Sequence, residues 1–293
     1  MIRIGILGAD SSHASAFSKL CNFPETDTGN YPFSEVRVTA IYGEDIEQAK
    51  QVALACNICE VVTSPEELLS KVDGVMVLFR DGNVHLPYAL PFIESGMPVW
   101  IDKPITVTLK DSDLLLEAAD KSPSLITGGS TCKYNKEVLE LKKMVDQGDL
   151  GTVLSGYLNF PCDIYSPYNG IFFYAPHMVE MMFTIFGYEI LSITCIKQKD
   201  TIRCIGKYEG FSVVLDFTNH VHQSFCMIHG DKKSHVREIK VDTSTYKAGL
   251  EQFITMLRTK NMPLPLTKLT AVTKVLTAIN DSMSEGKEIF LHL

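Results

Sequence analysis

The loop from residue 5 to residue 13 contains the residue types of a phosphate-binding turn. It reads Gly-Ile-Leu-Gly-Ala-Asp-Ser-Ser-His and follows the short apolar run Ile2–Leu7. In the dinucleotide-binding fingerprint, three glycines occupy a strand-to-helix turn, and the second lets the backbone approach a pyrophosphate. Gly8 is the one glycine of that set present here, because Asp10 and His13 occupy the second and third positions. The fingerprint is therefore degenerate.

An acid at the second position works against a bound pyrophosphate. At about 4 Å, the repulsion between two like charges is roughly 1–4 kcal/mol, depending on the effective dielectric. Free N–H groups at the helix N-terminus offset this, as do hydrogen bonds from the serines and the histidine. The alternative is that Asp10 or a serine simply caps the helix. Residues of this loop expected to bind the cofactor are Gly8, Ala9, Asp10, Ser11, Ser12 and His13.

Glu44 is the candidate for holding a ribose. It follows the second apolar run, Val36–Tyr42, and Gly43 takes the position where an acid is usual. A carboxylate here can accept hydrogen bonds from both ribose hydroxyls and would repel a 2′-phosphate. No Arg or Lys stands nearby in sequence to accept that phosphate, so NAD is predicted over NADP. The alternative is an exposed acid in the first turn of the next helix.

Two further groups of residues have spacings that occur in metal or redox sites. Asp216, Thr218, His220 and His222 fall on one face of a predicted strand, and residues 56–59 have CxxC spacing. Neither group has additional ligands at a convincing spacing. We therefore predict no metal site. The strand face is expected to lie at an interface or in the substrate cavity, and the two cysteines are expected to be reduced thiols at a helix end.

Strands and helices alternate through the first part of the chain. This alternation predicts a Rossmann-type, doubly wound parallel sheet with helices on both faces over residues 1–127. The predicted strands are 2–7, 36–42, 74–79, 98–101 and 125–127, and the predicted helices are 13–21, 45–55, one ending at 95, and 111–121.

The pattern changes after residue 128. Strand signals follow one another from 189 to 241 without long helices, which is typical of an antiparallel sheet. Residues 128–293 are therefore predicted to form an α+β domain with a large open-faced, mostly antiparallel sheet. Helices are predicted at 135–147, 178–186, 245–260 and 267–284. So few helices leave one sheet face uncovered, which favours a homodimer or homotetramer.

The composition excludes several classes of partner. The 293 residues include 35 acids against 27 bases, a formal charge of −8, and no Lys/Arg run, so nucleic acid is not expected as a partner. Polar residues at 10–12 cut the first apolar run far short of a signal or membrane helix. We therefore expect no membrane partner and a cytoplasmic location. The eight cysteines are scattered, and a chain of this length does not need disulfides.

Asp102-Lys103-Pro104, directly after an apolar strand, resembles the Glu-Lys-Pro motif of the Gfo/Idh/MocA oxidoreductases, the glucose–fructose oxidoreductase and inositol dehydrogenase family. The approach to it, residues 93–99, resembles that family's "ESGKPV". Residues 133–135 resemble its Arg-Tyr-Asn, and residues 148–151 its "G-E-L-G" turn. Further similar segments are 106–108, 253–258, the prolines 263 and 265, and 282–287. The resemblance runs in order along nearly the whole chain.

The resemblance implies a Rossmann domain, a second domain whose open sheet face is often buried in an oligomer, and NAD(P)-dependent oxidation or reduction of sugars, polyols and related carbonyl compounds. The family's catalytic lysine maps to Lys103, whose ammonium can polarise a carbonyl or help a hydroxyl ionise. A cis peptide before Pro104 would aim that lysine into the cleft. The family's catalytic histidine maps to His177, a candidate proton acceptor.

The family's aspartate, four residues before the histidine, is replaced by Phe173. This departure argues against ordinary polyol dehydrogenation, and Tyr174 or Tyr165 is a candidate replacement hydroxyl. Other residues expected at the cofactor are Phe79, Arg80, His85, Asp102 and Lys103. Residues expected at the small-molecule substrate are Lys133, Asn159, Tyr165, Phe173 and Tyr174.

Three functions fit the sequence. The first is an NAD-linked oxidoreductase acting on a sugar-like or polyol-like substrate. The second is a catalytically lapsed relative that senses a nucleotide or sugar, which the replacements at Asp10, His13 and Phe173 favour. The third is redox-assisted glycoside cleavage with tightly held NAD. Retention of both Lys103 and His177 favours an enzyme.

Overall fold

The computed structural model describes all 293 residues. The chain divides into two compact units, and each has its own sheet. The first unit comprises residues 1–106, 110–129 and 246–266, and the second comprises residues 107–109, 130–245 and 267–293.

The first unit is built on a six-stranded parallel sheet, as predicted. Long apolar runs form its inner strands because these strands are buried on both faces. The strands are β1 (Ile2–Leu7), β2 (Val36–Tyr42), β3 (Glu60–Val61), β4 (Gly74–Val77), β5 (Val99–Asp102) and β6 (Ile126–Gly129), in the order β3-β2-β1-β4-β5-β6. The helices that follow these strands are α1 (Ser12–Asn22), α2 (Ile46–Cys56), α3 (His85–Glu94) and α4 (Leu109–Asp120).

The second unit is built on a seven-stranded sheet that is antiparallel except for one parallel pair, β7 with β10. Its strands are β7 (Val153–Pro161), β8 (Ser192–Gln198), β9 (Thr201–Tyr208), β10 (Phe211–Thr218), β11 (Ser224–Gly230), β12 (Ser234–Ile239) and β13 (Ile289–Phe290), in the order β12-β11-β7-β10-β9-β8-β13. The helices of this part of the chain are α5 (Lys136–Asp146), α6 (Ala175–Phe186), α7 (Thr243–Thr259) and α8 (Leu266–Glu285).

The two faces of the second sheet differ. On one face α6 packs closely, since a Cβ at Gly156 of β7 would lie 2.4 Å from the Phe186 ring. The opposite face carries a row of mainly apolar side chains that the register places side by side across five strands: Val236, Met227, Tyr157, Val214 and Ile205. Val236 is 57% exposed and Ile205 40% exposed, so this outer row is accessible to solvent.

Most of α7 packs into the core of the first unit. The predicted domain boundary at residues 127/128 had placed this helix in the second domain. Leu250, Phe253 and Leu257 belong to the same apolar cluster as Trp100 of β5. Phe253 meets Trp100 edge-on with ring centroids 6.2 Å apart. The chain therefore returns to its first unit after building most of its second.

Cysteine pairing departs from the sequence expectation at one place. Cys195 of β8 and Cys204 of β9 are directly opposed in the antiparallel register and form a disulfide. Direct cross-strand opposition is not visible in residue spacing alone, which explains why the pair was missed. Cys56 and Cys59 are free thiols near the end of α2, as predicted.

Candidate functional site

Gly8 brings the loop after β1 against the loop after β4. Its φ of +104° is a conformation that L side chains rarely adopt. A Cβ on Gly8 would lie 2.5 Å from the backbone nitrogen of Phe79. A glycine is therefore required at position 8, because the backbone of Phe79 approaches it too closely for a side chain.

Asp10 joins the same two loops by a hydrogen bond. Its Oδ2 accepts the backbone N–H of Arg80 at 3.2 Å, and its Oδ1 is buried without a hydrogen-bond partner. Ser11 is the N-cap of α1 and accepts the N–H of His13 at 3.2 Å, so the capping alternative is confirmed for this serine. Ser12 begins α1 and is exposed.

His13 contacts a carboxylate at the end of β5. Its Nδ1 lies 2.7 Å from Oδ2 of Asp102, and both side chains are largely buried. Its ring also packs edge-on against Tyr246 at 5.3 Å. Nδ1 of His13 is therefore not the atom that donates to a phosphate, because its partner is the Asp102 carboxylate.

The pKa of Asp102 is lowered to about 2. Burial alone would raise it, but the charge and hydrogen bond of His13 outweigh burial, with smaller contributions from Lys103 and His85. A carboxylate whose pKa is lower in the folded protein stabilises the fold above its unfolded pKa, and this contribution disappears as pH falls through the folded pKa.

We therefore expect the free energy of unfolding to drop by about 2 kcal/mol as pH falls from about 4 to about 2 because of Asp102. Urea unfolding of the wild type and of Asp102→Asn across that range measures the effect, and the variant should have the shallower pH dependence. Asp113→Asn, at an exposed position on α4, is the control. Equal slopes for the wild type and Asp102→Asn would contradict the assignment.

Glu44 is exposed and belongs to a small aromatic cluster. Tyr88 donates to its Oε1 at 3.0 Å, and the Tyr88 ring stacks on Phe79 with centroids 4.3 Å apart. Burial, followed by the neighbouring Tyr42 and Glu44, raises the pKa of Tyr88. Gly43 precedes this acid because a Cβ there would lie 2.8 Å from the Cβ of Ala9.

His85 is fully buried and has a structural position, which corrects its prediction as a cofactor ligand. Its Nδ1 lies 2.7 Å from the carbonyl oxygen of Pro104, and its Nε2 lies 2.7 Å from that of Phe79. The ring thereby ties the loop after β5 to the loop after β4.

Lys103 follows β5 directly and is 7% exposed. The peptide bond to Pro104 is cis, as predicted. Because β1, β4 and β5 are parallel neighbours, Lys103 lies at the same carboxyl end of the sheet as the loops that contain Gly8 and Arg80. Ligands bind at this end in open parallel sheets.

In the second unit, His177 sits in a buried polar cluster near the start of α6. Its Nδ1 lies 2.6 Å from Oγ of Ser130 and 3.6 Å from Sγ of Cys132. Ser130 directly follows β6, and its Oγ also accepts the N–H of Cys132 at 3.0 Å.

Glu180 and Lys133 form a buried ion pair beside this cluster. Glu180 Oε1 accepts the backbone N–H of Ser130 at 2.6 Å, and Oε2 binds Lys133 Nζ. Lys133 is 3% exposed. Its ammonium therefore has an internal carboxylate as one partner, and contact with a substrate stays a prediction.

Two more predicted substrate residues have structural partners. Asn159 joins β7 to the segment that contains β11: it donates to the Gln223 carbonyl at 2.8 Å and accepts the Phe225 N–H at 2.8 Å. Its contact with a substrate stays a prediction. Tyr165 is 60% exposed and donates to the Lys199 carbonyl at 3.2 Å, and its role as a replacement hydroxyl stays a prediction.

Aromatic rings surround His177 in this unit. Phe160 and Tyr174 lie 5.3 and 5.8 Å from its ring, and Phe173 lies 4.9 Å from Tyr174. Phe173 also contacts Tyr168 at 5.0 Å. The position of the missing aspartate, Phe173, therefore belongs to a cluster of aromatic rings, here called the aromatic wall, and Tyr174 of that cluster contacts the His177 ring.

The residue sets considered for metal binding have other partners. Asp216 pairs with Arg203 at 2.6 Å, and His220 lies 3.3 Å from Asp200. No group of three or more His, Cys, Asp or Glu side chains is arranged to hold a metal ion.

Sequence reasoning missed Ser130 and Tyr88 and gave Glu180 no role. Glu180 stands three residues after His177 on one helix face, a spacing that could have indicated it. Ser130 has no signal in sequence, because its partner is 47 residues away.

A parallel sheet in the order β3-β2-β1-β4-β5-β6, with a glycine turn after β1, defines the class of Rossmann-fold dinucleotide-binding proteins. Residues 2–129 match the family described as "Oxidoreductase family, NAD-binding Rossmann fold". This match supports the predicted resemblance to the Gfo/Idh/MocA oxidoreductases over the first 129 residues, and the family's description agrees with NAD as the cofactor.

The curated relatives include inositol 2-dehydrogenase 4 of Saccharopolyspora erythraea, 31% identical over 52% of this chain and 43% of that protein. They also include inositol 2-dehydrogenase of Mycolicibacterium gilvum, 25% identical over 67% of this chain and 54% of that protein. The matched part of the chain thus spans about half the length of these relatives.

Among solved structures, a myo-inositol dehydrogenase from Lactobacillus casei in complex with NAD(H) and myo-inositol has a TM-score of 0.85 at 16% identity. It covers 100% of this chain and 97% of its own. GenD2 from gentamicin A biosynthesis, in complex with NAD, has a TM-score of 0.84 at 15% identity, covering 100% and 97%. These likenesses show the two-domain fold.

No helix of this chain combines the length and the apolar character that a membrane span requires.

Proposed function

We propose that this chain is an NAD-dependent oxidoreductase that moves a hydride to or from a sugar, polyol or related carbonyl compound. The observation that carries the proposal is Lys103, buried directly after β5 within the residues that match an NAD-binding family. Inositol 2-dehydrogenases among the relatives support the substrate class. Residues 1–127 would hold the dinucleotide, and residues 128–293 the substrate and the oligomer interface.

The loop after β1 fits a dinucleotide. Gly8 keeps side-chain bulk out of the turn, and the N-terminus of α1 offers backbone N–H groups, which suit a pyrophosphate. Glu44 would hold the ribose. NAD, when bound, supplies or accepts the hydride. Lys103 and His177 would handle the proton and the charge that develops on the substrate oxygen.

The proposed reaction is tested by following nicotinamide absorbance with a panel of inositols, sugars and keto acids. Oxidoreductase activity changes that absorbance with at least one compound. A sensor would bind a ligand and never turn over nicotinamide. A glycoside-cleaving enzyme would release product from a glycoside with no net change in nicotinamide. Either result would replace the proposal with its alternative.

We expect NADH to bind more tightly than NADPH. Like charges at about 4 Å repel by roughly 1–4 kcal/mol, so discrimination of about tenfold or more should depend on Glu44. Quenching of Trp100, the sole tryptophan, or calorimetry measures both affinities. Glu44→Gln should reduce the ratio, while Glu47→Gln, an exposed acid on α2, should not. Tighter NADPH binding by the wild type would contradict the role of Glu44.

A homodimer or homotetramer is expected through the outer row of the second sheet. The row defined above is mainly apolar and partly exposed, a surface that favours association. Sedimentation at micromolar concentration should show an oligomer, which Ile205→Glu should weaken. Leu54→Glu, at an 88% exposed position of the first unit, is the control. A wild type that sediments as a monomer would exclude this interface.

A further inference from the structure

The hydroxyl oxygen of Ser130 has two polar partners, and only one of them can accept the hydroxyl proton. The partners of Oγ are the backbone N–H of Cys132 at 3.0 Å and Nδ1 of His177 at 2.6 Å. A backbone N–H is a donor only, whereas a ring nitrogen without a proton is an acceptor. Ser130 is 1% exposed, so its hydroxyl is removed from bulk water. The hydroxyl must therefore donate to Nδ1.

This hydrogen bond fixes where His177 carries its proton. With Nδ1 accepting from Ser130, a neutral ring has its hydrogen on Nε2. A proton on Nδ1 would make Ser130 accept twice and leave its buried hydroxyl hydrogen without an acceptor. The penalty for such an orphaned donor corresponds to a preference of about 5- to 150-fold for the Nε2–H form. The same argument disfavours the imidazolium, which has both protons.

The neighbouring thiol does not alter this result. Sγ of Cys132 lies 3.6 Å from the same nitrogen and is both a weak donor and a weak acceptor. If Nδ1 donated to the sulfur, the Ser130 hydroxyl would still lack an acceptor.

Ser130 is held in this position by the buried ion pair. Its backbone N–H donates to Glu180 Oε1 at 2.6 Å, and the other carboxylate oxygen binds Lys133. Glu180 lies one turn after His177 on α6, and both side chains are buried. Ser130 is thus fixed at its backbone by Glu180 and at its hydroxyl by Cys132, which directs its proton at the ring.

We infer that Ser130 is a positioning residue that keeps neutral His177 in the Nε2–H form, so that His177 donates a hydrogen bond to the substrate oxygen instead of acting as a base. This inference rests on the proposed function for its role in the reaction. In the reduction direction, hydride adds to a carbonyl carbon and negative charge develops on oxygen. Nε2–H stabilises that charge, and the proton that completes the alcohol comes from the Lys103 ammonium. Oxidation reverses both transfers.

The tautomer is measured on the full chain carrying ¹⁵N-labelled histidine, by long-range ¹H–¹⁵N correlation near neutral pH. His177→Gln identifies the His177 signals. We expect a protonated Nε2 and an unprotonated Nδ1. A protonated Nδ1, in either the other tautomer or the imidazolium, overturns the inference.

Ser130→Ala should lower the preference for Nε2–H by about 5- to 150-fold, giving a mixture of tautomers, and Ser130→Thr should restore it. Ser166→Ala removes another buried serine of the same unit and should leave the His177 signals unchanged. An unaltered tautomer in Ser130→Ala would also overturn the inference, because a purely structural serine would give that result.

The double variant Lys133→Met/Glu180→Gln separates Ser130 from the ion pair. It removes both buried charges together and keeps an amide oxygen to accept the Ser130 N–H. Retention of the Nε2–H form there supports control by Ser130, and its loss contradicts it. These spectra need no substrate, so the inference and the proposed oxidoreductase activity can fail separately. With a confirmed substrate, Ser130→Ala should lower kcat more than it alters KM.

Discussion

Lys103→Met is expected to abolish turnover on any confirmed substrate, with a loss of at least about 10²–10⁴-fold in kcat. The methionine roughly keeps the length of the side chain and removes the ammonium that we propose serves the reacting oxygen. Because Lys103 follows β5 and does not form part of the sheet, the fold and NADH binding should survive. Absorbance kinetics, Trp100 quenching by NADH and circular dichroism measure the three properties.

The control for this variant is Lys110→Met, which alters an exposed lysine seven residues later. It should retain full activity. A normal rate for Lys103→Met would remove Lys103 from the mechanism, and loss of NADH binding would assign it to the cofactor instead of the reaction.

Phe173 is expected to make simple polyols poor substrates. Its ring stands where the family has a carboxylate, and it belongs to the aromatic wall that includes Tyr168 and Tyr174. The Phe173 ring cannot accept hydrogen bonds from a polyol as a carboxylate does, so a preferred substrate should present an apolar or planar group. Activity on glucose and inositol should therefore be at least about tenfold below that on a carbonyl compound with a flat substituent.

Phe173→Asp tests this directly in the same panel, with Phe172→Leu as a control for altering an adjacent aromatic residue. Inositol activity gained only in Phe173→Asp would indicate a lapsed polyol site. Strong inositol oxidation by the wild type would show that Phe173 does not exclude polyols.

The parallel sheet could be predicted because strands that are buried on both faces are encoded by uninterrupted apolar runs. Ile2–Leu7 and Val36–Tyr42 are uninterrupted apolar runs, and their bounds in the structure are those predicted. The cis peptide before Pro104 could be predicted because the motif and the strand before it were both local. Local sequence patterns therefore located the strands of the sheet and the lysine that directly follows β5.

Polar residues were harder to assign because their partners lie far away in sequence. Lys133 pairs with a residue 47 positions later, and Asn159 with one 64 positions later. From sequence, such side chains are indistinguishable from ligand contacts. Burial requires each of them to find a partner, but the partner is chosen by the tertiary fold. Ser130 could not be predicted for the same reason, because its partner His177 lies 47 positions later in the sequence.

The return of α7 to the first unit affects how the chain can be cut and how it emerges from a ribosome. A fragment ending near residue 129 would contain every strand of the parallel sheet, yet it would lack Phe253 and Leu257. A Cβ on Gly74 would lie 3.2 Å from Leu257 Cδ2, so that helix packs directly on β4. Excision of the Rossmann strands alone should leave an apolar surface exposed. During synthesis, the first unit cannot complete its core until about 120 further residues, most of the second unit, have been made.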